Sequence, residues 1–235
     1  MTNDGVRVAR LREVRVVTPE IKHFIFEVPG AESLTFTAGQ FVSFTEEIRG
    51  KQVTRAYSIA SRPEGNRFEL CLNVVADGYF SPYLFGLKPG AEVPMKGPLG
   101  TFVLRPPVRD TVMVATGTGI SPFRGMLAEA LVSGVGGQFT LIFGARHEPG
   151  LVFADEFRAL EKRFPNFRFV PTLTRPEPNW AGRQGRVQAL VLEAVGERLD
   201  LDVYVCGLKA MVDDVRTILK ARGFDRKQII SEKYD

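Results

Sequence analysis

Along residues 6–104 the apolar positions come in short, often alternating runs broken by glycine and proline. They are Val6 and Val8; Ile21, Phe24, Phe26 and Val28; Phe41, Val42 and Phe44; Tyr57 and Ile59; Phe68, Leu70, Leu72 and Val74; Val93 and Met95; then residues 102–104. A period of two gives a strand one buried face, and many short strands separated by turn residues predict an antiparallel barrel. Residues 79–87 are the one interruption: Ser81 as N-cap and Pro82 in the first turn predict a short helix.

The pattern changes after residues 105–110, where Pro106 and Pro107 stiffen the chain. From there strands alternate with helices: strands at 112–115, 139–143, 167–173 and 203–206, helices at 122–132, 153–164, 187–194 and 210–222. Such alternation implies a parallel sheet that binds ligands at the carboxyl ends of its strands. The first strand runs into Gly117-Thr118-Gly119 and then Pro122, which suits the first turn of a helix. Backbone N–H groups at such a turn, with the helix dipole, make a phosphate site. A Rossmann fingerprint would need glycine at Pro122, a P-loop Gly-Lys-Ser/Thr, and a nucleophile elbow glycine at Phe123, so none of the three fits.

Composition removes several classes of function. Of 235 residues, 44% are hydrophobic and 25% charged, enough to build a sizeable core. No apolar run approaches the ~18 residues that span a bilayer. Residues 1–5 lack the basic and apolar parts of a leader, so a cytoplasmic protein away from membranes is expected. Cys71 and Cys206 stand alone, which leaves neither a disulfide framework nor a zinc or iron–sulfur site. His23 and His147 leave little for metal or triad chemistry, and no metal is expected. The net charge of +4 is spread evenly, with 13 basic and 11 acidic residues over 1–106 and 18 and 16 over 107–235. Without a basic stripe, nucleic acid is not an expected partner; a pI near 9.2 favours phosphorylated ligands or an acidic protein.

Three strand-end loops carry the unusual residues of the second part: Gly117-Thr118-Gly119, then Gly144-Ala145-Arg146, and Thr174-Arg175 with Arg183 and Arg186 beyond. An NAD site usually has an acid at the end of the second strand for a ribose 2′-hydroxyl. Here Arg146 stands there, and a cation suits a 2′-phosphate. Arg175 and Arg186 would strengthen the preference for NADPH, since guanidinium matches phosphate oxygens in pairs. In the first part, Arg55, Tyr57 and Ile59 share one face of an extended segment and Ser58 the other. Arginine beside an aromatic ring suits a planar, anionic ligand.

Arg55-x-Tyr57-Ser58, Gly78-x-x-Ser81, Gly97-Pro98-x-Gly100-x-Phe102, Gly117-Thr-Gly-Ile-Ser-Pro122 and Val205-Cys206-Gly207-x-x-x-Met211, in that order, resemble the ferredoxin-NADP reductase superfamily. The resemblance covers nearly the whole chain. It implies a six-stranded antiparallel FAD-binding barrel over residues 1–106, then a Rossmann-like α/β domain for NADPH over 107–235. Arg55 would hold the FAD pyrophosphate, Tyr57 pack on the isoalloxazine, and Ser58 hydrogen-bond near its reactive nitrogen. Leu72, Asn73 and Val74 would line the FAD through their backbone, and Gly78, Phe80 and Ser81 would make the second pyrophosphate contact. Gly117, Thr118 and Gly119 would hold the nicotinamide nucleotide, with Arg146, Thr174, Arg175 and Arg186 toward its 2′-phosphate and Cys206 and Gly207 at the nicotinamide. Ser58, Tyr57 and Cys206 would be the groups nearest the chemistry, acting by positioning. Many members end in an aromatic that covers the flavin; Tyr234 is its counterpart, one residue before the end.

The activity implied is hydride exchange between NADPH and FAD, with single electrons passed to or from ferredoxin or flavodoxin. The ferredoxin domain of oxygenase reductases is absent from the sequence, so a separate acceptor is expected. The alternatives are an oxygenase or other acceptor, or a regulatory subunit that keeps the fold and one nucleotide.

Overall fold

The computed structural model describes residues 5–234; residues 1–4, part of the stretch in which no leader is read, and residue 235 lie outside. Two units emerge, one of residues 5–103 with Ser121–Glu129, the other of Leu104–Ile120 with residues 130–234.

The first unit is an antiparallel sheet of β1 (Val6–Thr18), β2 (Ile21–Glu27), β3 (Phe41–Ile48), β4 (Lys51–Ser58), β5 (Arg67–Asn73) and β6 (Glu92–Leu99), in the order β4-β3-β6-β1-β2-β5. Its outer strands approach through a bridge between Ile59 and Leu70, which brings the sheet round toward closure. Alternation sends Phe24, Phe26, Phe44 and Phe68 inward, all fully buried, and Phe26 lies 5.2 Å from Phe44 and 5.5 Å from Phe68 between ring centroids. Each such ring contributes about 2–3 kcal/mol by leaving water. Helix α1 (Phe80–Gly86) lies between β5 and β6 in sequence and adds Phe80 and Leu84 to this core.

The start of helix α2 (Ser121–Val132) is fastened within the same unit. Ser121 Oγ donates to the Cys71 carbonyl at 3.1 Å, and Arg124 Nη1 donates to the Ala60 carbonyl at 2.8 Å and to Glu69 Oε2 at 2.5 Å. The same carboxylate oxygen lies 2.7 Å from buried His23 Nε2. Burial alone would raise the Glu69 carboxyl, but the His23 contact and the charge and hydrogen bond of Arg124 outweigh it and hold the group down to about 2.

The second unit is a parallel sheet in the order β10-β9-β8-β7-β11-β12, made of β7 (Thr111–Thr116), β8 (Phe139–Ala145), β9 (Phe167–Leu173), β10 (Arg183–Gln184), β11 (Asp202–Leu208) and β12 (Ile229–Tyr234). Helices α4 (Val187–Val195) and α5 (Lys209–Arg222) pack Leu190, Val191, Val212 and Val215 with Val112, Val114, Val203 and Val205 of the sheet. In α3 (Ala154–Arg163), Phe157 meets Phe169 at 5.3 Å. The chain builds β8 to β10 on one side of β7, and β11 and β12 on the other. The carboxyl ends of β7 and β11 are therefore the switch point where open α/β sheets bind ligands.

The predicted architecture holds, with local differences. Residues 102–104 form no strand; Phe102 is instead buried 5.7 Å from Phe123 of α2. Ser81 lies inside α1 rather than at its cap, because the helix begins two residues earlier and Tyr79 takes the N-cap place. β10 and β12 were not expected: one has two residues, the other a mixed polar sequence. No helix among the described residues is long and apolar enough to cross a membrane.

Candidate functional site

β4 presents Arg55, Tyr57 and Ser58 in consecutive register against Phe44, Val42 and Phe41 of β3. Tyr57 is half-buried between Phe44 at 6.0 Å and Phe80 at 6.1 Å, and burial pushes its phenol far above the ordinary range despite the Arg55 charge. Tyr57 is thus a neutral ring held by packing. Arg55 is exposed, its Nη1 donating to the Thr54 carbonyl at 2.8 Å, and Ser58 is buried. Leu72 and Asn73 end β5, where they pair with Lys22 and Ile21 of β2, and the Leu72 side chain is spent on the core. The Val74 N–H donates to the Glu20 carbonyl.

The following loop closes on itself: Gly78 N–H donates to the Val75 carbonyl at 2.8 Å, and the Val75 N–H donates to Ser81 Oγ at 2.9 Å. Phe80 faces the core, where its ring meets Tyr57. Gly78 therefore shapes the loop, and an anion would be met by the following N–H groups, which no capping side chain covers. The residues present suit a flavin nucleotide: a neutral ring, an arginine and uncapped N–H groups on one unit.

At the switch point β7 ends in Thr116, and residues Gly117–Ile120 form a single 3₁₀ turn that leads into α2. Gly117 has φ of +54° and open space around it, so glycine serves the backbone conformation there. Gly119 has a different reason: a Cβ would collide with the Cys206 carbonyl of β11, so the turn lies flat on that strand. Gly207, at φ +145°, leaves a notch that a Cβ would fill against Thr116 Oγ1, at 2.5 Å, and Met211. Thr116 Oγ1 is buried and has no hydrogen-bond partner among the described residues. A buried orphan hydroxyl beside a side-chain-free notch is what a polar planar ligand such as a carboxamide would complete. The residues thus fit a nicotinamide. Thr116 escaped the sequence reading because it closes an apolar run; a polar residue at a strand's carboxyl end was its available signal.

Cys206 is fully buried; burial and the Glu232 charge push its thiol well above the ordinary range, while the neighbouring Tyr234 pulls the other way. It is no thiolate nucleophile. Tyr234, paired with Leu208 at the end of β12, is held beside Cys206.

The expected arginines converge. Thr174 N–H donates to Ala145 and Arg175 N–H to Arg146, at 3.0 and 2.9 Å, so the loops after β8 and β9 are zipped together. Gly185 N–H donates to the Leu173 carbonyl at 2.8 Å and brings Arg186, the N-cap of α4, to the same end of the sheet. Thr174 and all three arginines are exposed, and no ion pair to Arg146, Arg175 or Arg186 is formed among the described residues. Arg183, by contrast, pairs with Glu193.

Residues 8–104 match the oxidoreductase FAD-binding domain and residues 113–217 the oxidoreductase NAD-binding domain. These define the class, an FAD-dependent oxidoreductase with a nicotinamide-nucleotide domain. Ferredoxin–NADP reductase B of Sorangium cellulosum (strain So ce56) is 39% identical over 97% of each chain. The toluate 1,2-dioxygenase electron transfer component of Pseudomonas putida is 29% identical, over 96% of this chain and 67% of its own. A crystal structure of a ferredoxin NADP+ reductase from Neisseria gonorrhoeae with bound FAD and NADP matches with a TM-score of 0.85 and 26% identity, covering 97% of this chain and 98% of that one. The chain belongs to the ferredoxin-NADP reductase superfamily.

Proposed function

We propose that this chain is a cytoplasmic NADPH-dependent flavoprotein reductase exchanging electrons with a small acidic carrier, ferredoxin or flavodoxin. The observation that carries the coenzyme assignment is the set of three exposed arginines, unpaired with acids among the described residues, at the carboxyl ends of β8 and β9 and the start of α4. Three cations left without acids at a nucleotide-binding sheet edge suit a 2′-phosphate, which NADPH has and NADH lacks. Full-length identity of 39% to a ferredoxin–NADP reductase supports the carrier, as does a pI near 9.2.

In this reading residues 1–106 hold FAD and residues 107–235 hold NADPH. Bound FAD supplies the conversion between two-electron and one-electron transfer. Arg55 neutralises the pyrophosphate with help from N–H groups of the loop at Gly78, Phe80 and Ser81. Tyr57 gives the ring system a flat apolar neighbour that stays uncharged, and the Ser58 hydroxyl hydrogen-bonds its polar edge. Leu72, Asn73 and Val74 line it through the backbone. Gly117, Thr118 and Gly119 receive the nicotinamide nucleotide's phosphates, Thr174 joins the arginines at the 2′-phosphate, and Thr116, Cys206 and Gly207 orient the nicotinamide. Tyr234 keeps Cys206 in place and contributes its ring to the same end of the sheet.

A second reading, delivery to an oxygenase component, is favoured by the match to the toluate dioxygenase component. Turnover with NADPH separates the two when ferredoxin, flavodoxin, an oxygenase component and ferricyanide are compared as acceptors. Carrier-supported turnover should fall severalfold as salt rises from about 50 to about 500 mM, with the dye reaction much less affected. No reduction of either carrier, or a carrier rate indifferent to salt, would sink the acidic-carrier assignment.

A further inference from the structure

The loops after β8 and β9, which bring Arg146 and Arg175 together, also carry one histidine, His147, and two acids, Glu148 and Glu177. Arg175 and Glu177 each precede a proline, which biases both toward extended backbone, and two extended residues put at most about 7 Å between their Cα atoms. A carboxylate so placed is within reach of the guanidinium.

The two do not pair. Arg146 and Arg175 form no ion pair among the described residues, and Glu177 turns instead to His147, whose Nδ1 lies 3.2 Å from its Oε1. Turns fix both partners: the Gly150 N–H donates to the His147 carbonyl at 3.0 Å, and the Trp180 N–H donates to the Glu177 carbonyl at 3.0 Å. The two side chains are 50% and 60% exposed, so their contact adds little to stability. What it changes is the sorting of charge. An acid that paired with Arg175 would occupy a cation assigned to phosphate, and one left loose beside the arginines would repel a dianion over a few ångströms.

We propose that His147 is a positioning residue for coenzyme choice: it holds the Glu177 carboxylate off Arg146 and Arg175 and so keeps those cations open for the 2′-phosphate. This rests on the NADPH reading above and adds to it an acid that works against that coenzyme when released.

The test is calorimetric titration of the FAD-loaded full-length chain with NADP+ and with NAD+, oxidised coenzymes that bind without reducing the flavin. His147→Ala should raise the Kd for NADP+ about fivefold and leave that for NAD+ within about twofold. His147→Gln, whose amide still has an N–H to donate to Glu177, should bind NADP+ as the wild type does. Adding Glu177→Gln to His147→Ala should restore NADP+ binding, whereas adding Glu148→Gln should not. Unchanged NADP+ affinity in His147→Ala would overturn the proposal. Equal losses for both coenzymes would do so too, because the pair would then only tie the loops together. A loss that persists once Glu177 is neutralised would mean that His147 meets the phosphate itself, and rescue by Glu148→Gln as large as by Glu177→Gln would mean that the held carboxylate is not special; either result sinks the idea. A wild-type chain that binds the two coenzymes equally would instead overturn the 2′-phosphate assignment, and this proposal with it.

Discussion

Replacing Arg175 and Arg186 together by alanine should raise the Kd for NADPH about a hundredfold while leaving that for NADH within about threefold. A hydrogen bond to a charged group contributes about 1.5–3 kcal/mol, so losing two costs at least about 3 kcal/mol, or two powers of ten. The asymmetry follows from the structure: neither arginine is tied to a carboxylate among the described residues, so neither helps to hold the sheet edge together. The backbone bonds that place them, Arg175 N–H to Arg146 and Gly185 N–H to Leu173, survive the substitutions. Equal losses for both coenzymes would mean that the arginines serve the loops rather than a 2′-phosphate. Tight-binding titrations of the two coenzymes against the variant give the answer without any assumption about the electron acceptor.

Glu69→Gln should be the most damaging single exchange in the first unit. It removes the one carboxylate shared by His23 and Arg124, which lie 2.7 and 2.5 Å from the same oxygen. Breaking a buried pair from one side costs about 3–5 kcal/mol. Because a quarter of the Glu69 side chain is exposed, about 2–3 kcal/mol is expected. In a chain of this size that lowers Tm by about 4–12 °C. The carboxyl is held at about 2 in the folded protein against its ordinary 4.5. A depressed carboxylate stabilises the fold fully above the ordinary value, and its contribution disappears as pH falls through the depressed one. The gap in denaturant midpoint between wild type and variant should therefore be constant from about pH 7 to about pH 5 and shrink toward pH 3 and below. A gap that is absent, or that is as large at pH 3 as at pH 7, would show that the ion network contributes something other than this charge.

Much of the fold was legible because its apolar periods are clean. Phe24 and Phe26, or Val112 and Val114, announce their strands, and the two prolines at 106 and 107 fall where the period changes. β1 is far longer than its legible start at Val6 and Val8, since beyond Leu11 its mostly exposed residues stay in the sheet through pairing with β2, from Glu13 opposite Ile25 to Thr18 opposite Ile21. β12 was illegible because only Ile229 and Ile230 are buried, and its polar remainder becomes a strand through pairing with β11. Phe102 failed as a strand residue for the opposite reason: its apolar character serves a contact with α2, which no local period records.

The candidate site divides in the same way. Gly117 and Gly119 were readable as a pair, but their separate reasons, a positive φ and the pressure of the Cys206 carbonyl, exist only in three dimensions. The convergence of Arg146, Arg175 and Arg186 followed from strand topology and could be anticipated. Thr116 could not, since an orphan hydroxyl is defined by what surrounds it. His147 and Glu177 are 30 positions apart and meet only because the loops after β8 and β9 are zipped together.

The most direct measurement is the visible spectrum of the FAD-loaded protein under anaerobic stopped flow, mixed with NADPH and, separately, with NADH. The flavin absorbance should bleach with both, far faster at low micromolar NADPH than at the same concentration of NADH. A flavin that stays oxidised in excess NADPH while the nucleotide binds would contradict the account and leave a nucleotide-binding protein without reductase chemistry.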